Sequence, residues 1–82
     1  MSDESIGRVD SFFKNISVAA IELTAKLSVG DTIRIRGTTT DFEIEVMSMQ
    51  IDGAAVESAG AGDSVGIRVP ERVRPNDLVY KV

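Results

Sequence analysis

The chain has 82 residues, which fits one small domain and excludes a second. Hydrophobic residues make up 43% but aromatics only 5%, so Val, Ile, Leu and Met must supply the core, and with no cysteine neither a disulfide nor a thiolate metal site helps to hold it. Nine Lys plus Arg against thirteen Asp plus Glu leave a net charge of −4, which excludes bulk attraction to a nucleic-acid backbone and confines any such binding to a local patch.

Met1 to Glu4 reads as a loose, disordered tail and residues 5–82 as a single domain. Residues 1–15 contain Asp3, Glu4 and Asp10 and no continuous apolar run, so no secretory signal is expected; no 18-residue apolar run suits a membrane span either. Together with the absence of cysteine, this makes the cytoplasm the expected setting.

Ile6 to Val9 and Ile16 to Leu23 read as two strands joined by Ser11 to Asn15. In the second, Ala19, Ile21 and Leu23 are placed inward because Glu22 then faces water, although Ile16 and Val18 fit the opposite phase. Leu27 to Asp31 leads through a glycine turn into Thr32-Ile33-Arg34-Ile35-Arg36, which alternates polar and apolar, as does Phe42-Glu43-Ile44-Glu45-Val46. Paired as a hairpin across the polar stretch 37–41, Ile35 is expected opposite Ile44 and Ile33 opposite Val46. Arg36 then faces Glu43 and Arg34 faces Glu45 on the other side.

After Val46 the alternation slips, because Met47 is adjacent to it and the apolar phase continues through Met49 and Ile51; a β-bulge or sharp bend is expected there. Asp52-Gly53 is a two-residue hairpin signal, with Ala54 to Glu57 returning. Gly60-Ala61-Gly62-Asp63-Ser64-Val65-Gly66 spaces its glycines as GxGxxxG, one residue off the dinucleotide fingerprint. A phosphate cradle needs a following helix N-terminus, but here Val65, Ile67 and Val69 share the face of a strand. Gly62-Asp63 is therefore read as a turn and Gly66 as a strand glycine at a bend or close backbone approach, with no nucleotide cofactor. Pro70 to Asp77 is given one helical turn, and Leu78 to Val82 a last strand. No stretch sustains a 3.6-residue period, so the economical architecture is an all-β barrel or sandwich.

Catalytic chemistry finds little support. There is no histidine, so the side chain most used as a base near neutral pH is missing, together with His and Cys metal ligands. Glu43 and Glu45 are the nearest carboxylate pair, and their expected position opposite arginines makes surface ion pairs their role. The chain is read as a non-enzyme without cofactor or metal.

Three stretches, LSVGDTIRIRG at 27–37, VMSMQIDGAAVESAGAGDSVGIRV at 46–69 and RPNDLVYKV at 74–82, together resemble the second domain of translation elongation factors such as elongation factor Tu. GTTTDFEIEVMSMQI is similar to short stand-alone elongation-factor-like proteins and to the C-terminal barrel of some collagenase-like peptidases. The resemblance implies a closed six- or seven-stranded antiparallel Greek-key barrel, with Pro75-Asn76-Asp77 replacing the glycine of the last turn. It carries no GTPase domain and hence no GTP hydrolysis.

From it follows an expected function as a non-catalytic binding module in translation, contacting tRNA or ribosomal RNA; docking on a separate GTPase or enzyme subunit is the alternative. The candidate contacts are Arg68, Arg72, Arg74 and Lys81, which form one basic patch if the strand before the 70–77 connection pairs with the last strand, and Phe12 with Lys14, where an aromatic beside a lysine suits base stacking. A solvated face of mixed charge, and two phenylalanines plugging the barrel end, are the structural alternatives; Met47 and Met49 are read as core fillers.

Overall fold

The computed structural model describes residues 5–82; the expected loose tail at 1–4 lies outside the described residues. Among the described residues there are ten strands: β1 (Ser5–Phe13), β2 (Val18–Leu23), β3 (Leu27–Ser28), β4 (Thr32–Arg36), β5 (Asp41–Glu45), β6 (Met49–Ile51), β7 (Ala54–Val56), β8 (Ser58–Ala59), β9 (Ser64–Arg68) and β10 (Leu78–Lys81). Eight form one antiparallel sheet in the order β5-β4-β10-β1-β2-β9-β6-β7, and β3 pairs with β8 as a separate ribbon.

The fold is all-β, but the expected closed barrel of six or seven strands is corrected to an open half-barrel, with β5 and β7 as the edges of its main sheet. The reason lies in the Val46–Met47 phase slip. Instead of bulging within one strand, the chain leaves the ladder over residues 46–48 and crosses from the β5 edge to β6, near the other edge. Val46 and Met49 are both buried although they stand three residues apart, an odd spacing that a continuous strand cannot keep on one face, and Met47 between them is 76% exposed. Met49 fills the core as expected; Met47 does not.

The core follows the inward phases. Ala19, Ile21 and Leu23 of β2, Ile33 and Ile35 of β4, Val65 and Ile67 of β9, Val79 of β10, and Val9, Leu27, Val46, Val69 and Val73 are all essentially buried. β1 is longer than expected and runs through Ser11 and Phe12. A bulge between Val9 and Ser11 sets Phe12 against the core while Phe13 stays exposed. Residues 70–77 carry no helical turn; they run as an irregular connection ending in a tight turn.

The β4–β5 hairpin closes two residues tighter than expected. Gly37 N–H donates to the Thr40 carbonyl at 2.7 Å, leaving Thr38 and Thr39 as the loop, so Ile33 faces Ile44 and Ile35 faces Phe42. The shift changes the outer face as well. Arg34 lies opposite Glu43 but makes its ion pair diagonally, donating from Nε to Asp41 Oδ1 at 2.8 Å and from Nη2 to Oδ2 at 3.1 Å, and Arg36 lies opposite Asp41. The Asp52-Gly53 hairpin forms as read, with φ of 52° and 80°, both positive as a type I′ turn requires.

One turn recurs three times, at 28–31, 60–63 and 74–77, each launching the next strand: β4, β9 and β10. In each, the fourth residue is an aspartate whose carboxylate accepts the backbone N–H of the first: Ser28 to Asp31 at 3.0 Å, Gly60 to Asp63 at 2.9 Å, and Arg74 to Asp77 at 2.9 Å. The third residue has positive φ: Gly30 at 98°, Gly62 at 92° and Asn76 at 76°. Asparagine is among the few side-chain-bearing residues that tolerate this region, which accounts for its standing where the other two turns have glycine.

Each turn is also tied to one buried aliphatic residue on another segment. Val46, Leu23 and Val9 each accept from the third turn residue and donate to the carbonyl of the fourth, at 2.8–2.9 Å. The GxGxxxG stretch is the second of these turns, followed by β9 and no helix.

Asp77 is only 5% exposed, and its carboxylate lies over Gly37, where an added Cβ would meet Oδ1 at 1.8 Å. Gly37→Ala is expected to rotate that carboxylate off its turn and cost about 1–2 kcal/mol. In urea denaturation the same substitution on an Asp77→Ala background is expected to cost much less, the signature of a shared contact.

Arg34 holds the Asp41 carboxyl below its ordinary value, first through their hydrogen bond and then through its charge, with a smaller pull from Arg36. Because the folded-state value is the lower one, the pair supports the fold above the ordinary carboxylate range, and that support is lost as pH falls through the depressed value. An NMR titration is expected to find Asp41 ionising below the ordinary aspartate value, and Arg34→Ala is expected to restore it.

Candidate functional site

The sheet order decides which candidate residues meet. β9 and β10 are separated by β2 and β1, and the registers set Arg68 level with Phe13 at one end of β1 but Lys81 next to Tyr80, which faces Ser5 at the other, so the two residues lie on separated strands and at opposite ends of the sheet. The condition for a single basic patch, pairing of the last strand with the one before the 70–77 connection, is not met. Lys81 turns toward the first of the repeated turns, where its Nζ lies 3.4 Å from Asp31 Oδ2, the same oxygen that caps Ser28.

Four of the six candidates do converge. Phe12 and Lys14, from the end of β1 and the turn after it, meet Arg72 and Arg74 of the 70–77 connection around an open groove of roughly 560 Å³, completed by Ser11, Val73 and Pro75. The junction is made by hydrogen bonds: Val9 N–H donates to the Asp77 carbonyl, and Asn76 N–H to that of Val9, pinning the connection beside β1. Val73 is buried and anchors the segment, so the arginines on either side of it both point outward as exposed residues. Through Arg74 and Pro75 the groove continues into a second depression that Arg36, Thr38 and Thr39 also line.

The charge of this region is one-sided. Among the described residues no carboxylate is within ion-pair distance of Lys14, Arg72 or Arg74. Asp77 is buried and directed into its own turn and Asp41 is engaged by Arg34, so the exposed acidic neighbours in the chain are Glu71, beside Arg72, and Asp10 on β1, next to the Val9 that holds Asn76. Phe12 packs its ring partly against the core, so the aromatic left outside is Phe13, 51% exposed and not part of the groove lining.

Arg68 belongs to a different surface, which the residue pattern did not single out. It borders a shallow groove with Ile16, Val18, Ser48 and Gln50, and beside it a second hollow with Met47, Val69 and Pro70. Ile16 is 59% exposed and Met47 76%, so two large apolar side chains flank one arginine. The signals were present: Ile16 sat out of phase with the inward face of its strand, and Met47 followed directly on an inward Val46. Among the described residues no group of His, Cys, Asp and Glu suits a metal ion, and no helix is long and apolar enough to cross a membrane.

No family model matches the chain. It is 50% identical over 76 residues to an uncharacterized protease of Methanocaldococcus jannaschii, covering 92% of this chain and 19% of that protein. It is 35% identical over 78 residues to a collagenase of Porphyromonas gingivalis, covering 93% of this chain and 22% of the relative. The chain thus spans about a fifth of the length of the curated relatives it matches. Its fold matches the crystal structure of the C-terminal domain of a Geobacillus thermoleovorans protein described as a U32 peptidase, with a TM-score of 0.91 and 17% identity over 95% of this chain and 99% of that one.

These likenesses overturn the expected role as an RNA-binding module of translation. They keep the half of the resemblance that pointed to the C-terminal barrel of collagenase-like peptidases, and the barrel-like fold, but not the elongation-factor identification. The reason is physical as well as comparative. "VGD" and "AGD" mark a turn that any barrel-like sheet can use to start a strand, so they report fold and say little about ligand.

Proposed function

We propose that this chain is a non-catalytic interaction module of the U32-peptidase type, acting by packing against a peptidase's catalytic portion. The observation that carries the reading is the 50% identity running through 92% of this chain while accounting for only 19% of a protease, which leaves most of that protein to supply the reaction. The residues agree. The chain has no histidine or cysteine, and Glu43 and Glu45 are exposed on an edge strand, so among the described residues this carboxylate pair is not set up as a nucleophile with its base.

The surface best suited to a permanent protein contact is the one around Ile16, Met47 and Arg68. Burying two exposed aliphatic side chains is favourable at about 25 cal/mol per Å², and an arginine between them suits an interface centre. A standard contact covers about 800 Å² per partner, roughly 15% of the 5215 Å² this domain exposes.

The test is to mix this chain with the Methanocaldococcus jannaschii protease from which the matching fifth has been removed, and to follow association by gel filtration and calorimetry. A stoichiometric complex is expected, with Ile16→Asp and Met47→Asp each weakening it about tenfold, roughly the cost of a charge in an apolar contact. Failure to associate, or a complex indifferent to both substitutions, would sink the proposal or its assignment to this face.

A further inference from the structure

We propose that the groove lined by Phe12, Lys14, Arg72 and Arg74 docks a short, extended, acidic segment of a protein partner. This surface is distinct from the apolar face around Ile16 and Met47, and the inference does not depend on the peptidase reading.

The argument begins with charge. Three cations from two different elements converge on one groove, and among the described residues none of them is in an ion pair. That is unusual on a chain of net charge −4, where carboxylates outnumber basic residues. The nearest acidic side chain with a structural role, Asp77, is spent inward on the Arg74 N–H and lies over Gly37, so it leaves the Arg74 guanidinium unopposed. The exposed Glu71 beside Arg72 and Asp10 on β1 reduce the local field, but neither lines the groove.

The lining then narrows the ligand class. Between the cations lie the half-buried Phe12 and the exposed Pro75, with Val73 buried beneath them, so the surface sets apolar patches beside charged ones. A free inorganic anion uses only the first kind. A single-stranded nucleic acid needs an aromatic face free for stacking, but Phe12 is packed against the core, and a long polyanion meets the net negative charge beyond the groove. An extended peptide that alternates carboxylates with small aliphatic side chains uses both, and a few charges in contact feel mainly the cations within about 8 Å at physiological salt.

Fluorescence polarisation with the 82-residue chain tests this. The probe is a labelled ten-residue peptide in which Glu alternates with Val and Ser; the same peptide with Lys for Glu, and a ten-nucleotide single-stranded RNA, are the comparisons. The acidic peptide is expected to bind, the lysine peptide not, and the RNA more weakly. Arg72→Glu with Arg74→Glu is expected to weaken the acidic peptide at least roughly tenfold.

Lys14→Glu acts on the other wall and is expected to weaken it as well. Arg8→Glu with Lys26→Glu, which makes the same charge change at exposed positions outside the groove lining, is expected to leave binding within about twofold. All substituted residues are exposed, and retained thermal unfolding checks the fold. Absence of acidic-peptide binding, equal loss in the off-groove variant, or tighter binding of the RNA each overturns the proposal, whether or not the chain associates with a peptidase.

Discussion

Three aspartates set the geometry of this domain. Each accepts the N–H of a residue three positions earlier, closes a turn in which the residue just before it has positive φ, and so delivers the chain into a new strand. Each turn is also clamped to one buried aliphatic residue by a pair of hydrogen bonds. The clamp is what couples local chemistry to the core, because Val46, Leu23 and Val9 cannot shift without dragging a turn, and the turn cannot open without exposing them. In a domain with so few aromatics, where packing rests on small aliphatic side chains, such directional links carry a larger share of the uniqueness of the fold than they would in a richly aromatic core.

The same clamps place the surfaces. The third turn, bound to Val9, holds the 70–77 connection beside the end of β1 and so brings Arg72 and Arg74 to Phe12 and Lys14. The first, bound to Val46, stops β5 and sends the chain across the mouth of the half-barrel, where Met47 is left facing water next to Arg68. The two faces differ in character, one carrying three cations, the other a single arginine among exposed aliphatic and neutral polar side chains, and they arise from one device at different places in the sheet.

Much of this was legible in the residues. The inward phase of Ala19, Ile21 and Leu23, the strand of Val65, Ile67 and Val69, and the Asp52-Gly53 hairpin followed from alternation and turn chemistry, which are local properties. The hairpin register was misplaced by two because both registers keep apolar against apolar and arginine against carboxylate; only the Gly37–Thr40 hydrogen bond separates them. Closure and the grouping of the basic residues were illegible for a different reason. Whether β9 meets β10 is a matter of topology between segments ten residues apart in sequence and three strands apart in space, and no local pattern records it. Phe12 with Lys14 and Arg72 with Arg74 were each visible, but their meeting was not.

The strand order has a mechanical consequence. β1 and β10 are the first and last strands of the sheet in sequence, yet they lie side by side, antiparallel, with Ser5 opposite Tyr80. A pulling force applied through polypeptide joined at these two points would load their ladder crosswise, parting one hydrogen bond after another instead of shearing the whole row together. The domain would yield by unzipping, at low force, starting from the rim where its two ends meet.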